Sequence, residues 1–134
     1  MSGIKKLENF GEIYNLLHRH CILTFGFTEK QLFALNEMLA EPGKSAKRYA
    51  SALQVSPATI TTICDVFEER GIIKREHNSK GKDRRSITIN LTRKGKNFIS
   101  EVNLNLSALF HSVGLGSDKI ADILKYMLGN ARWK

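Results

Sequence analysis

The densest chemical signal in the sequence is KREHNSKGKDRR, residues 74–85, where Lys74, Arg75, Lys80, Lys82, Arg84 and Arg85 face only Glu76 and Asp83. A second basic group, Lys44, Lys47 and Arg48, falls within residues 43–56, which hold no acid. Ammonium and guanidinium groups clustered this way attract a polyanion, whether nucleic acid, acidic membrane or acidic protein. Between the two clusters lies SPATITTI, uncharged and rich in hydroxyls, while Asp65, Glu68 and Glu69 follow it. If the uncharged end met a polyanion, the acids would be held away from it.

Other chemistry finds little support. No phosphate-cradling Gly-rich loop, HExxH or GxSxG occurs, and the histidines His18, His20, His77 and His111 are scattered without a nucleophile and base arrangement. An enzyme and a bound cofactor are therefore not expected. In LLHRHC, His18 and Cys21 share a helical face, but no third ligand follows at metal spacing, so no metal site is expected. Cys21 and Cys64 sit inside helical patterns and read as reduced packing thiols.

These groups need elements to position them. A chain of 134 residues, 42% hydrophobic and 25% charged, fits one globular domain, and its net charge of +8 speaks to partners rather than to fold. No apolar run approaches bilayer length, and the first residues lack a signal peptide's long apolar centre, so a cytoplasmic protein with no membrane partner is expected.

Leu7, Phe10, Ile13, Tyr14, Leu17 and Cys21 predict a first helix over roughly residues 5 to 23. A second starts after Thr28 and stops at Pro42-Gly43; a third is AKRYASAL, capped by Ser45. Ser56 and Pro57 open a fourth, which ends at Gly71. Strands are expected at Ile72–Arg75 and Ser86–Leu91, where Ile87, Ile89 and Leu91 alternate with polar residues around a basic turn. Thr92 caps a fifth helix with an apolar face that includes Val102, Leu106, Leu109 and Phe110, and Ser117 starts a sixth with Ile120, Ile123, Leu124, Met127 and Leu128.

The class is mainly α with a small β-hairpin wing: a winged helix-turn-helix with N- and C-terminal dimerisation helices. Its first, fifth and sixth helices carry more apolar surface than such a unit needs, and a second copy would bury it.

In this order FTEKQLFAL (27–35), SAKRYASALQVSPATITTICDVFEERGIIKR (45–75), DRR (83–85) and LTRKG (91–95) resemble the MarR-type transcription regulators over nearly the whole chain. The resemblance implies a homodimer on palindromic double-stranded DNA, each subunit placing one helix in the major groove and one wing in the minor groove. It implies a winged lobe over residues 28–91, with residues 1–24 and 92–134 as dimerisation helices that include Leu7, Phe10, Tyr14 and Leu17. Residues Ser56, Ala58, Thr59, Thr61 and Thr62 match the helix contact region, and Arg84 and Arg85 the wing arginines. Arg75 joins the contact set.

Hydroxyls can exchange hydrogen bonds with base edges, Thr methyls can touch thymine methyls, and Arg suits a narrow A·T minor groove. Lys44, Lys47, Arg48, Lys80 and Lys82 are suited to phosphates. Thr62 and Val66 depart from the family, where arginines are common, so direct guanine reading is weak and specificity leans on shape. The resemblance also implies a small-molecule or stress signal, and for Cys21 a role in oxidant sensing that requires a lowered pKa.

Three other readings stand beside these. Asp83 and Arg85 pair within the hairpin; the Ser and Thr residues serve as a cap and solvated face; the basic wing meets an acidic protein partner instead of DNA.

Overall fold

The computed structural model describes residues 10–77, 87–114 and 116. Its elements in order are α1 (Phe10–Phe25), α2 (Glu29–Ala40), α3 (Ala46–Leu53), α4 (Pro57–Glu69), β1 (Ile73–His77), β2 (Ile87–Leu91) and α5 (Arg93–Ser112). Among these residues no helix is long and apolar enough to cross a membrane. They form two packing units, residues 10–29 with 101–114, and residues 30–77 with 87–100.

In the first unit α1 turns Ile13, Leu17 and Cys21 inward, one turn apart each, and the later part of α5 buries Val102 and Phe110. The dimerisation residues expected from the sequence divide. Leu17 is only 2% exposed and Phe110 is buried, whereas Tyr14, Leu106 and Leu109 are half-buried. The apolar side chains left outward are Leu16, Ile22, Leu23 (78% exposed) and Leu104 (73%), on stripes adjacent to the inward one. Leu7, the Phe10 side chain, Ile120, Ile123, Leu124, Met127 and Leu128 lie outside the described residues.

One charge is buried in this unit. Glu29 is 2% exposed, and His18 Nδ1 donates to its two carboxylate oxygens at 2.8 and 3.1 Å. The His18 ring stacks on Tyr14 with centroids 5.9 Å apart. A buried carboxylate is tolerated only when partnered in this way. His18 is thus engaged with an acid, and His20 Nε2 lies 2.7 Å from Asn105 Oδ1. Cys21 is fully buried, and burial, reinforced by the Glu29 carboxylate, pushes its thiol up to about 12. That is the opposite of what an oxidant sensor requires, because the thiolate is the reactive form.

The second unit is a helix-turn-helix followed by the hairpin. Ser45 caps α3, its Oγ accepting the Arg48 N–H at 3.2 Å. The turn to α4 is made at Gln54, whose φ of 60° and ψ of 43° let its N–H fold back on Ala50 and Ser51 carbonyls. Gly71, with φ +73°, ends α4 and lets the Ile72 N–H reach the Phe67 carbonyl at 2.9 Å.

β1 and β2 then pair antiparallel, with Ile73 opposite Leu91 and His77 opposite Ile87. The alternation holds for the buried Ile89 and Leu91 but not for Ile87, which is 37% exposed at the tip end. Lys44 adds a bridge to Ile89, whose N–H donates to the Lys44 carbonyl at 2.9 Å. The Tyr49 hydroxyl fastens this corner, donating to the Glu41 carbonyl at 2.5 Å and accepting the Lys44 N–H at 3.2 Å.

The hairpin closes on the start of α5. Thr92 Oγ1 donates to the Gly71 carbonyl at 2.6 Å and accepts the Gly95 N–H at 3.0 Å. The LTRKG motif therefore locks α5 to the root of β1.

Candidate nucleic-acid interface

Helix α4 presents two faces. Ile60, Ile63, Cys64 and Phe67 are buried, while Ala58, Thr61, Thr62, Asp65 and Glu68 are exposed. Its N-terminal end is organised by side-chain oxygens. Ser56 Oγ accepts the Thr59 N–H at 3.1 Å, and the Ser56 and Thr59 hydroxyls lie 2.9 Å apart. Farther along, Thr61 Oγ1 donates to the Pro57 carbonyl and Thr62 Oγ1 to the Ala58 carbonyl, each at 3.1 Å. The hydroxyls expected to face a ligand are therefore also structural.

The acidic second half of α4 is neutralised from within. Arg75 Nη2 lies 2.8 Å from Asp65 Oδ1 and 2.6 Å from Glu68 Oε1, and Arg75 Nε donates to Glu68 Oε1 at 3.2 Å. These bonds hold the Glu68 carboxyl below its usual range and raise the guanidinium's pKa. Arg75 is 25% exposed and ties β1 to α4, so its placement favours quieting the acids over reaching a phosphate. The sequence held a signal for this: Asp65 and Glu68 are three apart on one helical face, and the strand that follows brings Arg75 to them.

The other described basic residues of the candidate set lie on neighbouring elements. Lys47 and Arg48 are exposed on α3, the first member of the helix pair. Lys44 is half-buried, and its backbone belongs to the hairpin sheet. In this unit Ala58, Thr59, Thr61 and Thr62 lie on α4 behind the Ser56 cap, Lys47 and Arg48 lie on the preceding helix α3, and Lys44 precedes the Ser45 cap in a bridge to β2. Lys80, Lys82, Asp83, Arg84 and Arg85 lie outside the described residues. The role of Tyr49 as a latch has no signal in the sequence, because its partners Glu41, Lys44 and Ile89 come together only when the hairpin folds back.

Comparison with known proteins agrees with this architecture. The model of the MarR family matches residues 27–87. A curated relative, the HTH-type transcriptional repressor MdtR of Bacillus subtilis (strain 168), is 34% identical over 77 residues, covering 58% of this chain. The match spans about half of that relative, 48% of its length.

Two solved structures share the fold. Streptococcus pneumoniae FabT in complex with DNA superposes with a TM-score of 0.66 at 19% identity, covering 90% of this chain and 85% of that one. The PcaV transcriptional regulator from Streptomyces coelicolor, in complex with its natural ligand, gives 0.69 at 20% identity, covering 96% and 90%. The helix-turn-helix and hairpin thus have the winged-helix fold of the MarR-type regulators, and the MarR family model matches the chain from just past α1 through β1 to the first residue of β2, residues 27–87.

Proposed function

We propose that this protein is a sequence-specific, double-stranded DNA-binding transcription regulator that acts as a homodimeric repressor. The observation that carries the reading is the division of α4: an uncharged N-terminal half that exposes Ala58, Thr61 and Thr62 and follows the cations Lys44, Lys47 and Arg48 in the chain, and an acidic half neutralised by Arg75. Such a helix lets its first turns approach a duplex without like-charge repulsion, while the flanking cations engage phosphates. Repression is supported by the MdtR relative, DNA binding by the neighbour solved with DNA, and control by a small molecule by the neighbour solved with its ligand.

Homodimerisation is supported by the outward Leu16, Ile22, Leu23 and Leu104, which a second copy would bury together with the half-buried Tyr14, Leu106 and Leu109. The wing cations Lys80, Lys82, Arg84 and Arg85 belong to the same proposal.

Selection of bound duplexes from a random pool tests it. An inverted repeat with half-sites about one helical turn apart is the expected result. A pool that enriches no motif would speak against sequence-specific binding and turn attention to an acidic protein partner.

A further inference from the structure

We infer that α4 reads the C5-methyl groups of thymines through the methyls of Ala58, Thr61 and Thr62, and not the hydrogen-bonding edges of guanine. The inference rests on the reading above, in which α4 enters the major groove. It follows from what each polar group on the helix is already doing.

Bidentate recognition of guanine uses Arg or Lys, and that of adenine uses Asn or Gln. The helix, PATITTICDVFEE, contains none of the four. Cytosine N4 is read by carboxylates, but Asp65 and Glu68 hold Arg75. Glu69 is the last residue of the helix, far from the end that approaches the duplex.

Hydroxyl chemistry is what remains, and a hydroxyl has one proton. Thr61 gives its proton to the Pro57 carbonyl and Thr62 to the Ala58 carbonyl. Neither can donate to guanine O6 or N7 without breaking a bond within the helix. Each oxygen can still accept a bond, and the base that offers a proton beside a thymine methyl is the adenine paired with it.

The Ser56 and Thr59 hydroxyls bond to each other at the start of the helix, and on the face of Ala58, Thr61 and Thr62 the groups without another engagement are the methyls. Ala58, Thr61 and Thr62 stand at i, i+3 and i+4, so they share one face, and all three are exposed. With Oγ1 folded back on the preceding turn, each threonine leaves its Cγ2 methyl as the group available to a ligand. The reader is thus a small apolar patch, complementary to the methyls that line the major groove of A·T pairs.

The test replaces thymine by deoxyuridine in a duplex recovered by selection. This removes the C5 methyl from the major groove and leaves the minor-groove hydrogen-bonding groups intact. Binding is expected to weaken about fourfold for each contacted methyl. Two paired variants identify the reading group. Thr61→Ser/Thr62→Ser keeps the hydroxyls and removes the methyls, and it should bind thymine and uracil duplexes equally at those positions. Thr61→Val/Thr62→Val removes the hydroxyls and keeps methyls, and it should still prefer thymine.

Equal binding of thymine and uracil duplexes by the unaltered protein, with sequence selectivity intact, would overturn this inference alone. Discrimination that survives the serine change and disappears with valine would overturn it too. Absence of any sequence-selective duplex binding would overturn the proposed function and this inference with it.

Discussion

Gly95→Ala should lower the stability of the helix-turn-helix unit by about 1–3 kcal/mol, although alanine is the better helix former. A Cβ built at Gly95 would lie 2.0 Å from the Ile72 carbonyl oxygen, 3.0 Å from its carbon and 3.1 Å from Ile72 Cγ2. The first two atoms are backbone and cannot rotate aside. That same oxygen accepts the Thr92 N–H at 2.9 Å, so pushing α5 away would strain the cap as well as the packing.

Overpacking costs about 1–3 kcal/mol and a lost cap about 1 kcal/mol, against a gain of about 1 kcal/mol from helix propensity. Gly116→Ala, where an added Cβ meets nothing within 4 Å, is the matched control and should change little. Urea denaturation of the two variants decides the matter. A Gly95→Ala midpoint equal to or above the parent's would show that α5 does not close on Ile72.

The second large effect is a loss of stability in mild alkali. Burial pushes the Cys64 thiol up to about 11 and the Cys21 thiol to about 12, from an ordinary value of 9.0. Above pH 9 the unfolded chain releases both thiol protons while the folded protein keeps them, so the folded state binds more protons and stability falls as pH rises. Each thiol contributes up to about 1.4 kcal/mol per pH unit between its unfolded and folded values. Tyr14 and Tyr49, also raised chiefly by burial, add a decline of the same sign above pH 10.

Unfolding free energy measured under reducing conditions from pH 8 to 10 should therefore drop steeply. A Cys21→Ala/Cys64→Ala variant should start lower at pH 8, through lost packing, and decline less. A parent protein whose stability is flat to pH 10 would mean that the thiols ionise in place. The same burial fits Cys21 to packing in the core of its unit.

Much of this architecture is legible in the sequence because local signals agree. AKRYASAL is α3 and the Ser56-Pro57 start is the start of α4, since cap chemistry and apolar spacing act on the same residues. The first strand, expected from Ile72 to Arg75, runs from Ile73 to His77, because the Gly71 turn occupies Ile72.

What the sequence could not show depends on distant partners. Charge counting places Arg75 with the DNA contacts, yet its guanidinium meets Asp65 and Glu68, ten and seven residues back. The Lys44–Ile89 bridge joins residues forty-five apart and has no local mark. Helical periodicity finds the stripe of Ile13, Leu17 and Cys21, but not that the neighbouring Leu16 and Leu23 are the side chains left outward. On the candidate interface, Thr59 is half-buried, and Thr61 and Thr62 are exposed. Where their hydroxyl protons go becomes visible only with the Pro57 and Ala58 carbonyls in place.

In the proposed function, Lys44, Lys47, Arg48 and the wing cations serve a duplex. Its most direct test is the affinity for a selected duplex measured from 50 to 200 mM salt. Each phosphate contact should contribute about −0.9 to the log–log slope, so a dimer making about six or more contacts should lose roughly a thousandfold in affinity across that range. A steep negative slope of that size is the predicted result. Affinity that stays flat with salt, or no duplex binding at 50 mM, would contradict the claim.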